Sequence, residues 1–531
     1  MSRPGYVLEV DRSTPPVLFH HGEGFSLERL PIGSRVIYPP EPTKALPDPD
    51  AAVRRALLEP LGMDPLPAYL RPGMRLTIAF DDISLPLPPM KGPDNRQRVI
   101  EAVLDLAAAA GVDDVELISA TALHRRMTNP ELKHAVGKRV FDAFAPHGLL
   151  YNHGAEDPDG MALIGHTEEG ERVEINKRAA TSDLLVYVNI NLVAMDGGHK
   201  SVATGLAGYP SLKHHHNVRT MQHSRSFMDQ HRSALHSSNW RMGRLLAREG
   251  PPIFQIETTL NNNTFPKPFD FLQRREWEWS PRDRAAYLAA ASGLERMPRK
   301  AARQIFQKIL SPHAMSSVQA GEVEAVHAST TEHIYRSQLV PVEGQTDILT
   351  MGLPYICPYN VNSIMNPILV MCLGLGYFFN LYRGRPLVRQ GGVLIMHHPT
   401  PWEFHPVHHP SYLDFFEQVL TETTDPVEIE AKFEEDFATD PWYIHLYRTS
   451  YAYHGVHPFY MWYWGAHALQ HLAPGGVIIV GGDSKAVRRL GFKPASTLRD
   501  ALEMAEDVVG RDPSIIHLHA PPLMIADVNG G

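Results

Sequence analysis

Apolar residues follow two rhythms along this chain, short dense runs and stretches with helical spacing, and the two alternate. Dense runs at 74–80, 115–121, 184–188 and 253–260 are rich in Val, Ile, Leu or Phe and read as strands. Between the first two, Val99, Ile100, Val103, Leu104 and Leu106 keep helical spacing over residues 95–110, and Gly111 ends the pattern. After the second run, Thr128-Asn129-Pro130-Glu131 combines a capping residue with a proline suited to a first helical turn. Residues 162–176 alternate on both sides of Glu169-Gly170, which predicts a hairpin. Strand and helix in strict succession predict a parallel sheet of βαβ units.

The rhythm resumes further on. Strands are expected at 346–352, 391–396 and 475–480, with helices at 362–379, 412–420, 427–437 and 497–509. The predicted fold class is α/β, two α/β domains with mainly parallel sheets and an interdomain cleft. A Pro-rich N-terminal segment spans 1–70 and ends in a short helix near 50–58. A first α/β domain follows at 71–270, with 253–260 as its last strand, then a helical linker at 271–335 and a second α/β domain at 336–531. The linker contains an Ala-, Arg- and Lys-rich helical stretch at 282–310.

Composition narrows the class. A chain of 531 residues, 43% hydrophobic and 21% charged, is globular and exceeds one ordinary core. A net charge of −9 excludes a general nucleic-acid binder, because no basic excess displaces counterions from phosphates. Cys357 and Cys372 are the sole cysteines, so no disulfide framework is expected and a reducing compartment follows. The first eleven residues carry no signal-peptide core, and the apolar run at 367–379 is shorter than the roughly 20 residues that span a bilayer. The expectation is a soluble cytoplasmic protein with no membrane partner. Its 29 histidines cluster at 214–216, 397–398 and 405–409; prolines interrupt the last group, which suits cleft lining better than a metal site.

Candidate chemistry sits just past the predicted strands, where open α/β sheets bind ligands. Asp82, His124 and Lys200 all fall there, so one pocket can collect the three. Lys200 follows Gly197-Gly198-His199 and precedes a small-residue segment. Glycines permit close backbone approach, and a following helix aims amides at an anion. A plain strand-to-helix turn with a solvated lysine fits that stretch equally well.

The motifs taken together are more specific. Asp81-Asp82-Ile83-Ser84-Leu85-Pro86, Ala120-Thr121-Ala122-Leu123-His124, Tyr151-Asn152-His153, Gly197-Gly198-His199-Lys200-Ser201-Val202 and His216 resemble the lactate racemase family, in the family's order. The likeness runs over about 70–265 and more weakly over 340–400. It implies a nickel-pincer nucleotide attached covalently to Lys200, with His216 completing the nickel coordination, and His124 as the catalytic base for a substrate hydroxyl. It also implies that Asp82 and Thr121 lie near the cofactor's phosphate and ribose, with Ser84, Gly197, Gly198 and Ser201 among the cofactor-binding positions. The implied partners are a small hydroxy acid and the enzymes that build the cofactor.

The substrate side departs from the family. Leu85 stands where lactate racemases carry a carboxylate-binding arginine, and Asn366 aligns loosely with a substrate-side lysine. The loop 189–196 holds no histidine, whereas the family has a second catalytic histidine there; Asp196, His199 or a histidine of the second domain are the candidate substitutes. Arg125, Arg126 and Lys91 are the cations left for any anion. The implied activity is inversion of a 2-hydroxy acid other than lactate, the alternative being a divergent homologue that binds a nucleotide or small anion without racemising it.

Overall fold

In the computed structural model, which describes residues 5–529, two mainly parallel sheets are the framework. Residues 1–4 and 530–531, the outer ends of the expected N-terminal segment and second domain, lie outside the described residues. The first sheet has six strands in the order Met315–Gly321, Ile253–Leu260, Leu184–Asn191, Arg75–Asp81, Asp114–Ala120, Leu150–Asn152. All neighbours pair in parallel except the first two, which are antiparallel. Leu184–Asn191 is buried at every residue, which is why its sequence is a run rather than an alternation: helices or loops cover both faces of a central parallel strand.

The flanking helices obey the local signals. Asn95–Ala109 begins where the Asp94 side chain accepts from the Arg96 amide at 2.8 Å, and it buries Val99, Ile100, Val103 and Ala107. Asn129–Phe144 begins with a capping box between Thr128 and Glu131 and Pro130 in its first turn. The expected hairpin is the antiparallel pair Met161–His166 and Arg172–Asn176.

The second sheet has nine strands and shows what the Pro-rich N-terminus does. Tyr6–Glu9 and Arg35–Tyr38 extend one edge beside Ile515–Leu518, while Val17–Gly22 and Gly24–Glu28 join the end of Thr346–Pro354. Residues 6–38 are therefore strands of the C-terminal sheet rather than a separate leading segment. The register involves partners some 480 residues away, for example Ile37 against Leu518, which no local pattern can carry. The first sheet likewise extends past 253–260, because Met315–Gly321 returns antiparallel along its edge.

The apolar stretch predicted as one buried helix is buried, but splits into Pro367–Met371 and a π-helical continuation, Cys372–Phe378. No helix among the described residues is long and apolar enough to cross a membrane. Helices Pro281–Arg296 and Arg299–Lys308 bridge the halves; Arg303 is buried and donates from Nε to Glu23 at 2.7 Å.

Glu276, in the same bridge, is almost fully buried and accepts from Leu18 N at 2.8 Å, from the Tyr38 hydroxyl, and from His519 Nε2 at 2.9 Å. Burial alone would raise its carboxyl, but His519, Tyr38 and the Leu18 amide outweigh burial and hold it below the unperturbed 4.5. Its contribution is thus complete above pH 4.5 and is lost as pH falls through the lower folded value. Glu276→Ala should cost about 3 kcal/mol at pH 7. The deficit should shrink in acid, read from urea melts at several pH values.

Candidate active site

One cavity opens at the carboxyl ends of the first sheet's strands, facing the end of Thr346–Pro354 in the second. Its wall holds Asp81, Asp82, Ser84 and Leu85 after one strand, Ala122 and His124 after the next, and Asp196, Gly197, Lys200 and Ser201 after Leu184–Asn191. His216 also lines it, with Trp464 from the other half of the chain packed edge-on to His216 at 5.9 Å, Tyr359 edge-on to His124 at 5.0 Å, and Tyr377 beside them.

His124 Nδ1 lies 2.7 Å from Asp82 Oδ2. Asp82 is fixed in turn, because Oδ1 accepts from the Ser84 amide at 3.0 Å and its hydroxyl at 2.5 Å. Burial would raise the Asp82 carboxyl, but His124 and the Ser84 donors hold it below the usual carboxylate range. An ionised acceptor on Nδ1 places that ring proton toward Asp82 and leaves Nε2 as the lone pair. Arg96, buried, pins the loop by donating to the carbonyls of Asp81 and Asp82 at 2.8 and 2.6 Å. Asp81 accepts from Ile190 N at 2.7 Å and Asn189 Nδ2 at 2.8 Å, yet burial pushes it up to about 7.

Gly197 and Gly198 have φ of +87° and +61°, and a Cβ on either would meet a buried side chain, Asn191 and Glu257 or the His327 ring, within 3 Å. The turn delivers Lys200 to the start of Lys200–Gly205 with a loosely held ammonium, 3.5 Å from the Met195 carbonyl and 3.9 Å from Asp196 Oδ1. Ser201 ties this segment to the sheet through Asn189 and through Gln255 Nε2, which donates to its hydroxyl at 3.0 Å.

His216 Nδ1 is 2.8 Å from Nδ1 of His215, so its Nε2 is the nitrogen open to a ligand. Burial, with His215, Lys200 and His124 nearby, keeps the His216 ring neutral, the form that binds metal. Burial likewise keeps the His215 ring neutral, its pKa lowered to about 3. In the tautomer in which His215 Nδ1 accepts from His216 Nδ1–H, His216 Nε2 is left as the lone pair.

Two expected cofactor positions stand off the wall. Thr121 is fully buried and donates its hydroxyl to the His153 carbonyl at 3.2 Å; Gly198 turns its amide to Glu257 at 2.7 Å. Both hold the neighbouring loops in shape. Asp82, on the wall, directs Oδ2 to His124. Among the candidate second proton carriers, His199 turns to Glu324 at 3.2 Å, off the wall, while Asp196 is on it. His457 stacks edge-on to His124 at 5.3 Å but lies behind the wall. Of the spare cations, Arg125 pairs with Glu131 at 2.8 Å and Arg126 donates to the Ser450 carbonyl at 2.9 Å. Lys91 is exposed and off the wall. The histidines at 397–409 are not cleft lining; His408 and His409 hold Ser363 and Asn366 inside the core. Reading the sequence missed His215, His20, Tyr377 and Trp464, which carry no local motif beyond the His214-His215-His216 run.

The nickel-pincer nucleotide can be tested against these residues. Among the described residues no group of three or more His, Cys, Asp or Glu is arranged to hold a bare metal ion. A metal that brings sulfur and carbon ligands needs only one imidazole, which His216 offers, and the nearby Lys200 amine has no close partner. The residues fit such a group.

The lactate racemase N-terminal domain family matches residues 24–229. Lactate racemase of Lactiplantibacillus plantarum is 28% identical over 171 residues, 31% of this chain and 38% of that protein. Lactate racemase of Thermoanaerobacterium thermosaccharolyticum is 27% identical over 169 residues, 31% of this chain and 37% of that one. Both alignments thus cover less than two-fifths of the curated relatives. The solved lactate racemase apoprotein from T. thermosaccharolyticum superimposes with a TM-score of 0.63 over 96% of this chain and 99% of that chain, at 18% identity, a likeness of fold.

Proposed function

We propose that this chain is a divergent relative of the lactate racemases it resembles and an isomerase inverting the hydroxyl-bearing carbon of a hydroxy acid larger than lactate. The observation that carries the proposal is the convergence of Lys200, His216 and the Asp82–His124 pair on one cavity. Lys200 would hold the nickel-pincer nucleotide covalently and His216 Nε2 would complete the metal's ligation. When bound, that group supplies the hydride acceptor, chemistry no side chain offers.

The chain's own residues handle the proton. His124 Nε2 takes it from the substrate hydroxyl, and Asp82 stabilises the imidazolium that forms and keeps the ring oriented. Inversion also requires a proton carrier toward the second face of the planar keto compound. Asp196 fills that role best: it is on the wall, in the loop that lacks a histidine, and burial raises its carboxyl against the pull of Lys200. Aromatic and aliphatic walls exclude water from the transfer.

The test is a peptide mass. Protein made alongside cofactor-building enzymes is digested with trypsin, which cannot cut after a modified lysine, so residues 179–213 should appear as one heavier peptide, with one equivalent of nickel in the intact protein. Cleavage after Lys200 at unmodified mass, with no nickel, would sink the proposal.

A further inference from the structure

On the strength of that reading, we propose that the substrate is an uncharged hydroxy-acid derivative (an ester, amide or lactone) with a large apolar body, and that His20 binds a polar group on that body.

Among the described residues, Lys200 is the one lysine or arginine on the cavity wall, and three carboxyls, Asp81, Asp82 and Asp196, share the wall with it. With Lys200 engaged by the cofactor, an ionised substrate carboxylate would enter a largely apolar site with no lysine or arginine side chain left to pair with it and with the ionised Asp82 on the same wall. Leu85 adds only apolar surface, and Arg125 and Arg126 are engaged elsewhere. A carboxyl masked as an amide or ester keeps its carbonyl acceptor and loses the charge.

The rest of the wall is apolar. Phe265, Phe269, Leu272, Phe306, Ile309 and Leu523 leave far more hydrocarbon surface than lactate's methyl group can cover. His20, on Val17–Gly22, breaks that surface. It is 3% exposed and stacks at 5.9 Å on Phe265. Neither ring nitrogen has a hydrogen-bond partner, and the Pro521 carbonyl only slightly offsets the effect of burial on the ring. Burial drives the His20 pKa down to about 3, so the ring is neutral and suits a hydroxyl or carbonyl rather than a carboxylate. Asn262, also on the wall, donates Nδ2 to the Leu523 carbonyl at 2.7 Å and keeps Oδ1 unpaired. Two buried polar groups without partners that face the same cavity mark places where a bound molecule can complete their hydrogen bonding.

Calorimetric binding of 3-phenyllactate, 3-phenyllactamide and 3-(4-hydroxyphenyl)lactamide tests this. The protein is used in two forms, full-length chain made alongside cofactor-building enzymes, and the Lys200→Met variant, in which no free ammonium stands in for the missing cation. In both, the amide should bind about tenfold or more tighter than the acid. The phenol should add a further gain of about threefold to tenfold. His20→Phe should abolish that gain and leave phenyllactamide binding intact, and Leu85→Arg should turn the preference toward the acid. Equal or tighter binding of the acid, no binding of either amide, or a phenol gain that survives His20→Phe would overturn the proposal. The Lys200 peptide mass judges the underlying reading separately: an adduct with acid-preferring binding overturns the substrate inference alone.

Discussion

Lys200→Arg is expected to abolish the peptide adduct, the bound nickel and the turnover together, while the fold survives. The Lys200 side chain is a quarter exposed, and its contacts are long, 3.5 Å to the Met195 carbonyl and 3.9 Å to Asp196. A charge-preserving swap there should shift stability by only about 0.5 kcal/mol. A guanidinium cannot act as the amine that bonds the cofactor, however, so turnover should fall to background. Intact mass, metal analysis and a thermal melt on one preparation check all parts. His216→Ala is the complementary control: the adduct should persist and the nickel should not. A Lys200→Arg protein that still held stoichiometric nickel would remove the covalent anchorage from consideration.

His124→Ala, in protein that carries the adduct, should lower kcat by about 10² to 10⁴ with a much smaller change in KM. The reasoning is geometric. Asp82 takes Nδ1 at 2.7 Å and leaves Nε2 aimed into the cavity, so the ring's contribution is proton transfer rather than general binding. Asp82→Asn preserves a hydrogen bond to Nδ1 but can impose the wrong tautomer, and should land between wild type and His124→Ala. Loaded His124→Ala enzyme with wild-type kcat would move the proton transfer to another group, Asp81 or Asp196 first.

The grouping of Asp82, His124, Lys200 and His216 about one cavity was legible in the sequence because its signals are local. The strand-end positions of Asp82 and His124, the glycine pair before Lys200 and the spacing to His216 follow from dense apolar runs and turn residues close along the chain. Those runs report burial on both faces, which a central parallel strand needs wherever the rest of the fold lies. The substrate side was not legible. Leu85 could be seen as a missing arginine, but what replaced it required knowing which distant residues share the cavity.

Sequence alone, then, determined the α/β class, the order of the elements and the likeness that directs attention to Lys200, His216 and His124, because propensity, capping and period are properties of neighbours. Only the tertiary structure decided that Thr121 and Gly198 stand off the wall, that Asp82 serves His124, and that residues 6–38 belong to the C-terminal sheet. It alone brought His20 to a cavity otherwise built around Lys200, 180 residues later in the chain. Which side chains meet across such separations depends on sheet register and the packing of one half on the other, and both are settled by burial summed over the whole chain rather than by any stretch of it.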